Sequence, residues 1–222
     1  HDDIMDVAAE EAAEDIYRMA GTDAAELETH SVVRAAGVRM SWLIPCMIGT
    51  SLIAAVLAAY DESSLSKTQL VALVMFVPMI AATGGNAGIQ SAAIVLRGLA
   101  TGELGSSKLR WVFIREARIA LVVASLCAVF TAVMSCTVLY VLKSMNFESA
   151  MGVDVLPVRM AIGVGLGVLS AVLIATSLGI TLPFIFRRFG VDPAIASGPL
   201  ITTINDIVSA AVYLGIALVI VS

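Results

Sequence analysis

"PLITTINDIVSAAVYLGIALVIVS", Pro199 to Ser222, reads as a membrane-spanning helix that carries a single acid, Asp206, in its interior. A carboxylate at the centre of a bilayer costs several kcal/mol, about 3 on insertion scales and more in simulations. The rest of the chain has to supply a reason for keeping it there and a balance for its charge.

Composition sets the class. Hydrophobic residues make up 59% of the 222, charged residues only 14%, and the mean hydropathy is +0.96. Soluble domains carry about 25% charge, so the chain reads as an all-α integral membrane protein. A soluble helical protein with an outsized core is the competing class. Recurring apolar runs of the roughly 20 residues needed to cross hydrocarbon argue against it. Five such segments stand out: Val38–Tyr60, Thr68–Leu99, Val112–Leu142, Leu156–Phe186 and Pro193–Val221. Cys46, Cys127 and Cys136 all lie within them, with no CxxC or Cys/His pattern, and read as free thiols packed like small hydrophobes.

Lys and Arg sort by side. Arg18, Arg34, Arg39, Arg97, Lys108, Arg110, Arg115, Arg118, Arg187 and Arg188 fall on one side of a five-span arrangement, against Lys67, Lys143 and Arg159 on the other. The positive-inside rule then places the N terminus in the cytoplasm and the C terminus outside, in a multi-pass protein of the inner (plasma) membrane. Asp192-Pro193 offers an N-cap acid before a first-turn proline, so the fifth helix is expected to begin there. On that count Asp206 lies about 20 Å along a helix of roughly 40 Å, near the midplane.

Residues 1–30 differ in kind. Asp2, Asp3, Asp6, Glu10, Glu11, Glu14 and Asp15 face only Arg18, while Ile4, Val7, Ile16 and Met19 could form one apolar stripe. A solvated acidic helix accounts for the pattern. So does a cytosolic lever whose acids bind divalent cations or dock on a further domain. Residues 1–30 are therefore set apart from a five-helix membrane domain at 31–222. The chain opens on His1 rather than methionine, and a preceding soluble portion is expected.

Polar residues gather in two spans. Thr202, Thr203, Asn205 and Ser209 share the helix of Asp206, after Ser197-Gly198-Pro199. Pro199 cannot donate a backbone hydrogen bond, so a carbonyl one turn earlier is freed. Irregular backbone at membrane depth is tolerated only inside protein or along a wet cavity. In the second span Pro78, Thr83, Gly84, Gly85, Asn86, Gly88, Gln90 and Ser91 interrupt an apolar run, and Gly84 and Gly88 have the spacing of a close helix contact. Tight helix packing explains them; a pore wall is compatible with it. "GVGLG", Gly163–Gly167, has no preceding strand and reads as small-residue packing rather than a phosphate loop. No enzyme motif is present, and no nucleic-acid partner is expected.

Asp206 could be neutral, paired with Arg, a proton relay or a cation ligand. No Lys or Arg lies near mid-depth in any span. One carboxylate suits a divalent ion poorly. Two, brought together about the axis of a C2 dimer, suit it well. Oxygen-only surroundings favour hard cations such as Mg²⁺ or Ca²⁺.

At these residues the chain resembles the transmembrane domain of the MgtE family of magnesium channels. The resemblance is strongest at "PMIAATGGNAGIQSAAIVLRGLATGEL" and "LPFIFRRFGVDPAIASGPLITTINDIVS", and "EEAAEDIYRMAG" is similar to that family's entry into its connecting, or plug, helix. It implies a homodimer with a central pore lined by the second and fifth helices, and selective Mg²⁺ uptake. Asp206 matches the pore aspartate, with backbone oxygens near Thr202 as further ligands; Thr203 and Asn205 are added candidates. Asn86, Gln90, Gly85, Gly198 and Pro199 are expected along the pore. The resemblance also implies N and CBS domains in a longer parent chain, with Asp6, Glu10, Glu11, Glu14 and Asp15 as regulatory Mg²⁺ ligands. Gly198-Pro199 departs from the Asn-Pro frequent in the family and lacks that side-chain oxygen. A Na⁺- or H⁺-coupled Mg²⁺ exchanger is the alternative function.

Overall fold

The computed structural model describes residues 14, 16–20, 22, 31–61, 67–101, 104, 109–145, 157–196 and 198–221. Among these, residues 16–19 are helical, and the membrane part comprises α1 (Val32–Asp61), α2 (Lys67–Val74), α3 (Val77–Ala100), α4 (Leu109–Ser144), α5 (Pro157–Arg188), a 3₁₀ turn at Pro193–Ala196, and α6 (Pro199–Val221). Five helical stretches are long and apolar enough to cross a bilayer: Val32–Tyr60, Leu70–Ala100, Arg110–Ser144, Pro157–Arg188 and Pro199–Ile220. They match the five expected spans with shifted ends.

The second span is interrupted. Between α2 and α3 the chain turns at Met75–Phe76. Pro78 explains the break, because it has no N–H to return to the carbonyl of Val74. Tyr213 of α6 donates its hydroxyl to the Leu73 carbonyl at 3.0 Å, beside the interruption.

The fifth span starts later than Asp192-Pro193 suggested. Gly190, with φ of +71°, ends the α5 turn, where the Val191 N–H reaches the Phe186 carbonyl at 3.0 Å. Asp192 does cap a turn, accepting from the Ala194 N–H at 2.8 Å, but that turn is the 3₁₀ segment. Gly198, with φ of +46°, redirects the chain, and Pro199 becomes the first residue of α6. Proline is therefore a starter here, not an internal break. Asp206 lies seven residues beyond it, about 10 Å into a helix of roughly 34 Å. It sits in the first third of the helix, not near the middle.

α5 is the central helix. It packs against α3, α4 and α6, while α1 lies along α6. The core gathers Leu73, Ile80, Met160, Val164, Val172 and Tyr213. Lipid is as apolar as leucine, so this association rests on close packing rather than on escape from water. The GVGLG stretch provides the closeness. A Cβ at Gly165 would stand 3.0 Å from the Ala128 carbonyl oxygen of α4, and one at Gly167 would meet the Tyr213 ring of α6 at 2.5 Å. Hydroxyls in the spans mostly bond back to their own helix, as Thr131 does to the Cys127 carbonyl at 2.8 Å. The three cysteines are free and half-buried.

Candidate functional site

Two helices build the site. α3 contributes a face on which Pro78, Ala82, Asn86 and Gln90 are all exposed, at a repeat of four residues. α6 contributes Thr202 and Asp206, which share a face because they are four apart. Between them lies an open groove of about 430 Å³, bordered by Gly85, Asn86, Thr202, Asp206, Pro78 and, from α1, Ile53. Asp206 is half-buried in it and makes no side-chain hydrogen bond or ion pair with any described residue.

Each neutral neighbour has a readable role. Thr202 Oγ1 donates toward the carbonyls of Pro199 (3.0 Å) and Gly198 (3.2 Å). Its proton is thereby used within the helix, and its lone pairs remain for a donor in the groove. Gly85 keeps the wall thin, since a Cβ there would lie 3.2 Å from Thr202 Cγ2. Asn86 presents an amide that can both give and accept. Gln90 lies one turn further along the same exposed face, beyond the residues bordering the groove.

Two of the expected ligands face elsewhere. Asn205 is wholly buried. Its Nδ2 donates to the Ala81 carbonyl of α3 at 3.2 Å, and its Oδ1 has no partner among the described residues. Gly84 makes room for this amide: a Cβ at that position would sit 2.8 Å from Nδ2. Asn205 thus ties α6 to α3 and sets the rotation that turns Asp206 toward the groove. Thr203 is buried too, donates to the Pro199 carbonyl at 2.7 Å, and meets Gly49 of α1. Pro199 and Thr203 border a second groove, about 370 Å³, with Trp42, Pro45 and Cys46.

Gly198 is buried under the N-terminal segment, whose Met19 carbonyl lies directly against it. No local sequence pattern announces the partner that holds this segment. Arg18 pairs with both Glu14 and Asp192, joining the 16–19 turn to the loop that leads into α6. Glu14 is thus engaged by Arg18; Asp6, Glu10, Glu11 and Asp15 lie outside the described residues.

Among the described residues no three His, Cys, Asp or Glu side chains converge as a metal site. Five apolar helices and one lone carboxylate beside neutral oxygens in an intramembrane groove define a polytopic membrane protein whose chemistry is polar recognition. The chain belongs to the MgtE family: the family model described as a divalent cation transporter matches residues 77–216. This is a family of transporters, not enzymes. The chain is 36% identical over 218 residues to the magnesium transporter MgtE of Bacillus subtilis, covering 97% of this chain and 44% of that protein. The magnesium transporters MgtE of Thermus thermophilus (31% identical) and Enterococcus faecalis (32%) are likewise matched over 97% of this chain, and over 44% and 43% of their own lengths. The chain therefore spans less than half the length of these curated relatives.

Proposed function

We propose that this chain is the membrane-embedded part of a Mg²⁺ channel in which two copies meet about a twofold axis, and Asp206 of each faces a hydrated ion. The observation that carries the reading is the lone Asp206 carboxylate opening onto a groove lined by Thr202, Gly85 and Asn86. One acid cannot neutralise a divalent cation, and Asp206 is the one acid among the described residues that border the groove. A second copy supplies one. The exposed row Asn86–Gln90 continues the polar surface along α3, which is what a pore wall requires.

Mg²⁺ is cargo in this account, not a resident cofactor. It releases its waters reluctantly, and a carboxylate can hold it through that shell. At about 4 Å and an effective dielectric of about 20, one carboxylate attracts a divalent ion by roughly 8 kcal/mol before desolvation is subtracted. Thr202 Oγ1 and the Asn86 amide oxygen accept hydrogen bonds from the coordinated waters. Asn205 and Thr203 act indirectly, by fixing α6 against α3 and α1. The charge asymmetry of the loops supports a cytoplasmic N terminus and an external C terminus. Regulation by N and CBS domains of a longer parent chain, through the acids from Asp6 to Asp15, belongs to the same proposal.

The test is Mg²⁺ flux into liposomes holding the purified protein, wild type beside Asp206→Ala, with no Na⁺ or pH gradient. Flux in the wild type alone supports the channel. Flux that requires a counter-ion gradient moves the protein to coupled exchange. Equal flux in a folded Asp206→Ala variant removes Asp206 from the ion path.

A further inference from the structure

The outer surface of α4 carries a second polar feature that the groove does not use. Trp111, Arg115, Arg118, Val122, Leu126, Val129 and Val133 follow one another at steps of three and four residues, so they form one stripe. All are exposed; Trp111 is 65% accessible and Leu126 67%. α4 packs against α5, and this stripe is turned away from the bundle. Its lower part is apolar and suits acyl chains. Its upper part is an indole and two guanidinium groups.

Depth places that upper part. The apolar run Ile119–Leu142 is about 36 Å long at 1.5 Å per residue, enough to cover a hydrocarbon core of about 30 Å. Arg118 and Arg115 then fall in the headgroup layer, about 5–7 Å deep on each face, and Trp111, one turn further out, stands at its aqueous edge. Trp111 and Arg115 are already organised: the guanidinium carbon lies 5.9 Å from the indole centroid. Arg115 also contacts the buried Glu116 carboxylate, at a loose 3.4 Å. That contact fixes the guanidinium without using up its donors. Arg118 has no ion pair or hydrogen bond with any described residue.

We propose that Trp111, Arg115 and Arg118 form a headgroup site for an anionic phospholipid, its phosphate on the two guanidiniums and its chains along Val122, Leu126 and Val129. The charge is complementary, and the occupant must be a lipid because the cationic end continues directly into an acyl-facing ridge. The chain contains two tryptophans, Trp42 and Trp111. Trp42→Phe leaves Trp111 as the sole tryptophan, excited apart from the four tyrosines and placed beside Arg115.

The protein in this background is reconstituted in phosphatidylcholine vesicles doped with either dibrominated phosphatidylglycerol or dibrominated phosphatidylcholine, and quenching of Trp111 is compared. The brominated anionic lipid is expected to be enriched about fivefold or more, the attraction of a basic residue for an anionic surface. Arg115→Gln/Arg118→Gln should abolish the preference, and Arg115→Lys/Arg118→Lys should retain much of it. Arg187→Gln/Arg188→Gln, at the end of α5, should leave it intact. Equal quenching by the two lipids overturns the proposal, as does a preference that survives loss of both arginines. Quenching by neither lipid would mean that no lipid chain is held within reach of Trp111, which also overturns it. Displacement of the brominated lipid by millimolar inorganic phosphate would assign the site to free phosphate instead.

Discussion

Substituting Gly84 by alanine tests the contact on which the placement of Asp206 depends. A methyl there would lie 2.8 Å from Asn205 Nδ2, 3.1 Å from its Oδ1 and 3.1 Å from Ala171 Cβ. Comfortable contacts are about 3.5–4.0 Å, so α3 must withdraw from α5 and α6 together by roughly 0.5–1 Å. Overpacking of this kind costs about 1–3 kcal/mol. Alanine recovers up to about 1 kcal/mol over glycine in a helix. A net loss of up to about 2 kcal/mol follows. Asn205→Ala alone removes the bond to the Ala81 carbonyl, worth about 0.6 kcal/mol on average within membranes and up to about 1.7. In the double variant the amide is no longer there to collide with, so the two losses should fall short of additivity by about 1 kcal/mol. Reversible SDS-induced unfolding in mixed micelles measures all four proteins. A stabilising Gly84→Ala would rule out the tight contact with Asn205. So would singles that add within about 0.3–0.5 kcal/mol, the behaviour of independent sites.

Tyr213→Phe should cost about 0.5–1.7 kcal/mol in the same assay, because it removes the only α6 hydroxyl that reaches the interrupted backbone at Leu73 among the described residues. Thr202→Val keeps the side-chain volume but removes an acceptor from the groove. It should lower Mg²⁺ flux roughly three- to tenfold, the worth of one hydrogen bond, with little change in unfolding. Gly198→Ala meets both a left-handed φ and the Met19 carbonyl. It should undock the 16–19 turn and speed tryptic cleavage after Arg18, and Asp192→Ala should do the same by removing the ion pair. Unchanged cleavage rates in both would remove the docking from the account.

The five spans were legible because hydrocarbon thickness demands long apolar runs, and such runs survive errors of a few residues at their ends. The start of α6 was not. Two prolines, Pro193 and Pro199, both satisfy first-turn chemistry, and only the left-handed Gly198 between them reveals that the chain turns twice. Nor could the sequence separate Asn205 from Asp206. Neighbours on a helix point about 100° apart, and α6 is at least half-buried over nearly its whole surface, so hydropathy gives no phase. The usable signal was the four-residue spacing of Thr202 and Asp206, together with Gly84 as the space an opposing polar side chain would need. The Arg18–Asp192 pair joins residues far apart in the chain, and no local pattern announces such a contact.

In the proposed channel Asp206 brings Mg²⁺ into the groove beside Asn86. Asn86→Cys, in a chain whose Cys46, Cys127 and Cys136 have been replaced by alanine, reports on that placement. A water-soluble methanethiosulfonate reagent should modify this position, Mg²⁺ should slow the modification, and Asp206→Asn should remove the protection while leaving the modification itself. A thiol that stays unreactive, or one that Mg²⁺ protects equally well without the Asp206 carboxylate, would contradict it.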